Sequence, residues 1–123
     1  ILQAFAQGSS YTAKGLEYSF RYEPSFSFEK QGKRSIIGFF FSHIHSDILM
    51  KPEGIDFTYI STANSFAYAH EDKSVLPPGA TVPSPRKSGT VGENCWDSVV
   101  VDTSARTVKI FRYGAGYDRV FLY

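Results

Sequence analysis

Ile36-Ile37-Gly38-Phe39-Phe40-Phe41-Ser42-His43-Ile44-His45-Ser46-Asp47 is the stretch on which the reading of this chain turns. Its first six residues form the most apolar segment in the chain. A short unbroken run of this kind predicts a strand covered on both faces. It stops abruptly at a serine, two histidines and an aspartate. Polar residues at the C-terminal end of a buried strand are where α/β folds place chemistry. In an extended chain residues i and i+2 face the same way, so His43 and His45 can offer both imidazoles to one site. Neutral imidazole is the commonest nitrogen ligand for metals. Two histidines do not complete a site, because even a tetrahedral zinc takes three or four protein ligands. Asp47 and, further along, His70 are candidate third ligands. The plainer alternative is two polar residues closing a strand, and the spacing alone does not separate the two.

Working back from this segment, Tyr18 to Tyr22 and Ser25 to Phe28 alternate aromatic with polar residues and predict two short half-exposed strands, parted by Pro24. Lys30 to Arg34 is a charged turn. The opening Ile1-Leu2-Gln3-Ala4-Phe5 suits the last turns of a helix begun upstream, with Gly8 as its C-cap. Working forward, Lys51-Pro52-Glu53-Gly54 signals a turn and Ile55 to Ser61 a strand. Residues 66–94 carry Pro77-Pro78-Gly79, Pro83, Pro85 and Gly89 and predict a long irregular loop. Val99-Val100-Val101 and Thr107 to Phe111 then form a hairpin across Asp102-Thr103-Ser104-Ala105-Arg106. Gly114-Ala115-Gly116 turns the chain into a last strand, Val120 to Tyr123. The expected architecture is an α/β fragment dominated by β-structure, a mixed and mostly antiparallel sheet with little helix.

Composition narrows the partners. Aromatics make up 16% of the 123 residues, which favours pleated, half-buried surfaces. The formal net charge is +1, so no electrostatic footprint points to nucleic acid or to an anionic membrane. The run Ile36–Phe41 is far short of the ~20 apolar residues of a membrane-spanning helix. The single cysteine, Cys95, excludes an internal disulfide and a cysteine-rich zinc motif. With no base at recognisable spacing it reads as a small buried hydrophobe. Trp96 reads as a core or sheet-packing residue. Arg112, Asp118 and Arg119 flank the Gly114–Gly116 turn. They form either a guanidinium site for phosphate or an Arg–Asp pair that pins the turn. His70, within Ala69-His70-Glu71-Asp72, is either a solvated loop residue or a substrate contact.

The segment through Ser42-His43-Ile44-His45-Ser46-Asp47 resembles the last motif of the calcineurin-like metallophosphoesterases, Gly-His-x-His after a buried strand, often followed by an acidic residue. The likeness runs in order along nearly the whole chain. Ala4-Phe5 before Gly8-Ser9-Ser10-Tyr11 and Tyr59-Ile60-Ser61-Thr62 contribute to it. So do Gly89-Thr90, Cys95-Trp96-Asp97, Val99 to Asp102 and Arg112-Tyr113-Gly114-Ala115-Gly116-Tyr117-Asp118-Arg119, which resemble the C-terminal end of a bacterial and phage subgroup. The resemblance implies the C-terminal half of a four-layer α/β/β/α sandwich. It implies two divalent metals, manganese, iron or zinc, about 3.5–4 Å apart, that stabilise the attacking and leaving oxygens of a phosphoester. By position His43 would bind one metal and His45 the other. Asp47, His70 and Arg112 would support these ligands or touch substrate. The implied setting is a bacterial cytoplasm or a phage virion.

Two departures shape the expectation. Ser42 stands where the family has glycine, which makes a special backbone angle there costlier. The family's earlier motifs, an Asp-x-His, a bridging Asp, an Asn-His pair and a further His, are absent from residues 1–42. The expected partner is therefore an N-terminal half of the same domain. This chain by itself is expected to hold metal partially or not at all and to be inactive. Without that half, Ile36–Phe41 would expose apolar surface or pair with a second copy. The alternative from another class is a non-catalytic binding or structural module, such as a phage tail or cell-surface component.

Overall fold

The computed structural model describes residues 1–13, 23–41, 45–63, 78–81 and 86–123. They divide into two compact units, Ile1–Ile36 and Ile37–Tyr123. The expected strand at Tyr18–Tyr22, Ser42, His43, His70 and most of the loop expected at 66–94 lie outside the described residues.

In the first unit, helix α1 (Leu2–Gln7) ends at Gly8, which takes the left-handed conformation with φ 63° and ψ 44°. Its N–H and that of Ser9 return to the carbonyls of Phe5 and Ala4 at 3.2 and 2.9 Å, which satisfies the last turn. A side chain could not replace that hydrogen, since a Cβ at Gly8 would lie 2.4 Å from the Gly32 carbonyl carbon. Strands β1 (Ser10–Thr12) and β2 (Ser25–Ser27) pair antiparallel, with Tyr11 opposite Phe26. Phe28 packs edge-on against Phe5 at 5.5 Å between ring centroids.

The second unit contains two sheets. The first joins β3 (Phe39–Phe41), β4 (Asp47–Met50), β5 (Tyr59–Ser61) and β6 (Ala80–Thr81) in the order β3-β5-β4-β6. β3 runs parallel to β5, and the other pairs are antiparallel. The second sheet is the antiparallel meander β7 (Cys95–Asp102), β8 (Thr107–Gly114) and β9 (Arg119–Leu122). Described structure is thus β-dominated with little helix and mixed or antiparallel sheets. No described helix is long and apolar enough to cross a membrane.

The two sheets of this unit share a core. Ile60 of β5 packs with Val108 and Ile110 of β8, and Leu49, Phe121 and Tyr123 close around them. Period-two alternation on β8 explains the choice. Val108 and Ile110 point inward, while Lys109 and Phe111 point out. The connection between β7 and β8 is held locally. The Asp102 carboxylate accepts the N–H groups of Ser104 and Ala105 at 3.0 and 2.8 Å.

Three expectations change on contact with the structure. The run Ile36–Phe41 is not covered on both faces. Only Phe39–Phe41 is strand, at the end of its sheet, and Ile37, Phe39 and Phe40 are exposed. Along one face Phe39 instead stacks on Phe41 at 5.8 Å and meets Tyr59 edge-on at 5.4 Å. The strand predicted from Ile55 begins only at Tyr59, because the Ile55 N–H closes a turn onto the Pro52 carbonyl at 3.1 Å. Within the expected long loop, Ala80–Thr81 pairs with Ile48 and Asp47 as β6.

The outward face of the meander is apolar. Trp96 stacks on Tyr113, its cross-strand partner, at 5.1 Å, and both stay exposed along with Val100, Phe111, Val120 and Leu122. Trp96 is accordingly a sheet-packing residue and not a core one.

Gly114 makes the turn after β8 possible. It sits at φ 92°, and a Cβ there would lie 1.8 Å from the Asn94 carbonyl oxygen, which accepts the Ala115 N–H at 3.1 Å. Gly54, at φ 73°, faces open space. We expect Gly114→Ala to destabilise by about 1–3 kcal/mol more than Gly54→Ala, since both share the backbone strain and only the first overpacks. Equal urea midpoints for the two variants would contradict this packing.

Candidate functional site

The histidine segment enters the described structure at His45, between β3 and β4. His45 is exposed and takes φ 53°, in the left-handed region. A non-glycine residue there costs about 1–2 kcal/mol and persists only when its surroundings impose it. Ser46 follows, fully buried, and its hydroxyl has no hydrogen-bond partner among the described residues. Asp47 then opens β4.

Asp47 is bound on all sides. Arg112 grips it in a fork, Nη2 to Oδ1 at 2.7 Å and Nη1 to Oδ2 at 3.0 Å. The Ala63 N–H donates to Oδ1 at 2.9 Å. The same guanidinium turns Nε to Asp97 Oδ1 at 2.7 Å and Nη1 to the Ala115 carbonyl at 2.7 Å. Asp97 also receives Arg119 Nη2 and the Thr62 hydroxyl. Arg119 Nη1 donates to the Ser61 carbonyl at 2.9 Å and lies 3.7 Å from Asp47. Side-chain exposure is 2% for Arg112, 5% for Asp97, 8% for Arg119 and 11% for Asp47. Two carboxylates and two guanidiniums thus neutralise one another away from water.

Strand register builds the cluster. Asp97 and Arg112 are direct partners across β7 and β8, and Arg119 lies opposite Ile110, diagonal to Arg112. Cross-strand neighbours on one face meet in this way. Asp47 comes from the other sheet, on the face that carries Leu49 toward the shared core.

The electrostatics follow. Burial by itself would raise the Asp97 pKa. Hydrogen bonds from Arg112 and Thr62, with the charges of Arg119 and Arg112, outweigh it and hold the carboxyl below its ordinary value. Burial would likewise lower the Arg112 pKa, but the hydrogen bonds and charges of Asp47 and Asp97 raise it.

The sequence-derived candidates divide accordingly. His45 stands exposed at the strand connection, and His43 and His70 lie outside the described residues. Asp47 and Arg112 meet each other. With both its oxygens occupied by Arg112, Asp47 supports its neighbours and does not face an open coordination site. The Arg112 fork is committed to carboxylates and a carbonyl, which leaves the anion-binding reading of it without donors in this arrangement. At the turn itself the Asp118 carboxylate accepts the Arg112 backbone N–H at 2.8 Å and the guanidinium holds the Ala115 carbonyl, whereas the guanidinium's carboxylate partners are Asp47 and Asp97. Asp97 and Thr62 went unrecognised from sequence as members of this cluster. Register between Asp97 and Arg112 was the available signal. Cys95 is buried against Ala63 and Ala115, with Sγ 3.1 Å from the Ala115 carbonyl.

Among the described residues no group of three or more His, Cys, Asp or Glu is placed to hold a metal ion. Of the three histidines only His45 lies among the described residues, and one imidazole does not make a metal site. No known family's model matches the chain, and it matches neither a curated protein nor a solved structure.

Removing Asp97 leaves two buried guanidiniums short of a partner. Asp97→Ala is expected to cost about 3–5 kcal/mol in urea unfolding at neutral pH. The pH dependence has a definite sign. Because the folded-state pKa is depressed, this stabilisation is complete above the unfolded carboxylate value and is lost as pH falls through the folded one. Asp97→Asn should flatten the acid limb of stability below about pH 4. An unchanged limb in that variant would contradict the assignment.

Proposed function

We infer that this chain is the C-terminal portion of a calcineurin-like, metal-dependent phosphoesterase, in which His43 and His45 each bind one of two divalent metals. The observation that carries the reading is His45. It is exposed at the C-terminal side of a strand and held in a backbone conformation that a non-glycine residue adopts only under constraint. It belongs to the His-x-His that the ordered family resemblance singles out. Paired metals would polarise the phosphoester and stabilise charge on its oxygens. The chain's own part is to supply imidazole nitrogens, with a buried, self-neutralised group of charges anchoring the residue two positions after His45. Asp47 and Arg112 belong to that group, and His70 is the candidate substrate contact.

The exposed apolar surfaces support a larger layered body. Phe39 and Phe40 on one sheet, with Ile37 just before them, and Trp96, Phe111, Val120 and Leu122 on the other are surfaces that a soluble monomer seldom leaves uncovered. An N-terminal half of the same domain would cover them and bring the bridging carboxylate that two mutually repelling cations need. The chain by itself is then inactive.

The test is metal content and hydrolysis of p-nitrophenyl phosphate in the full-length product. Two manganese ions per chain are expected, with loss of metal and of turnover in both His43→Ala and His45→Ala. The 123-residue chain should show no manganese-dependent hydrolysis. Metal content unaffected by either substitution would overturn the reading and favour a non-catalytic binding module. Hydrolysis by the short chain in proportion to its concentration would overturn the division of labour.

A further inference from the structure

We propose that Arg112 is a positioning residue for His45, acting through Asp47. The inference rests on His45 being a metal ligand, and it adds how that ligand is placed.

His45 and Asp47 are two residues apart, so their Cα atoms lie within about 7 Å. Ser46 between them is fully buried, which leaves the link little freedom to swing. Asp47 is in turn anchored at both oxygens by the Arg112 fork and at Oδ1 by the Ala63 N–H. A forked pair fixes orientation as well as distance. The fork itself cannot rotate freely. Its Nε is held by Asp97 and its Nη1 by the Ala115 carbonyl, each at 2.7 Å. The backbone N–H of the same residue is held by Asp118 at 2.8 Å. Arg112 thus connects the turn after β8 to the first residue of β4, and through it to the residue whose φ is 53°. The left-handed conformation of His45 is the strain, and the Arg112–Asp47 fork is part of what imposes it. Outer partners of this kind govern metal affinity without touching metal.

The experiment compares Arg112→Leu, Arg112→Lys, Asp47→Asn and Val108→Ala with the unsubstituted parent by NMR, all in the full-length product. One readout needs no metal: the three-bond HN–Hα coupling and carbon shifts of His45, which report its left-handed backbone. The other is a titration with cobalt(II), followed at the His45 ring resonances. Arg112→Leu is expected to lose the left-handed signature and to weaken cobalt binding at His45 by about 10–100-fold. Arg112→Lys should recover part of both, because it keeps one charge and loses the fork. Val108→Ala truncates the core away from the cluster, so it should lower stability and leave His45 unchanged. Asp47→Asn carries the same readouts if Arg112→Leu fails to fold. A folded Arg112→Leu or Asp47→Asn with His45 signals like the parent's would overturn the proposal. So would an equal change in Val108→Ala. Absence of any cobalt effect at His45 in the parent would instead remove the metal reading, and the backbone readout would still decide the positioning claim.

Discussion

One guanidinium, that of Arg112, stands between two carboxylates that reach it from different sheets, Asp97 from across the hairpin and Asp47 from the head of β4. Taking four charged groups out of water is costly, and the cost is recovered only when the geometry is good and the remaining donors and acceptors are satisfied. Here Arg119, Thr62, the Ala63 N–H and the Ala115 carbonyl supply most of that set, and the Arg119 Nε–H is the donor left without a partner among the described residues. A purely apolar filling of the same space could be equally stable, but it would not dictate how the two sheets face each other. The apolar core formed by Ile60, Val108 and Ile110 tolerates sliding more readily than a forked ion pair does. The forked pair therefore adds a requirement of orientation that the apolar core by itself does not carry.

What the sequence made legible is what local chemistry decides. Gly8 announced the end of α1, because a left-handed C-cap is a property of one residue and its four predecessors. The hairpin around Asp102–Arg106 was legible for the same reason, through alternation and turn residues, although β7 and β8 extend further than the pattern suggested. Non-local facts were not legible. Asp47 and Arg112 are 65 positions apart, and only the packed sheets bring them together. Two residues, Ala80 and Thr81, carry too little pattern to announce β6. Six consecutive apolar residues at Ile36–Phe41 predicted coverage on both faces, whereas in this chain the run lies at the end of a sheet with its rings stacked along one side.

The candidate site was half legible. His-x-His and its neighbour Asp47 can be picked out by residue type. Arg112 was picked out by its place beside a glycine turn, where its backbone N–H meets Asp118 and its guanidinium meets the Ala115 carbonyl. Its longer reach to Asp47 needed the fold. That reach ties the head of β4, two residues after His45, to the buried pair of Arg112 and Asp97. The apolar faces left exposed on both sheets are what the phosphoesterase proposal would have another stretch of polypeptide cover.

The central claim is that Asp47 and Arg112 act as a unit. A double-mutant cycle on urea unfolding, using Asp47→Ala, Arg112→Ala and the pair, measures this directly. The account predicts a coupling of roughly 2 kcal/mol or more, with the second substitution costing far less once the first is made. Free energies that simply add, within about 0.5 kcal/mol, would contradict it.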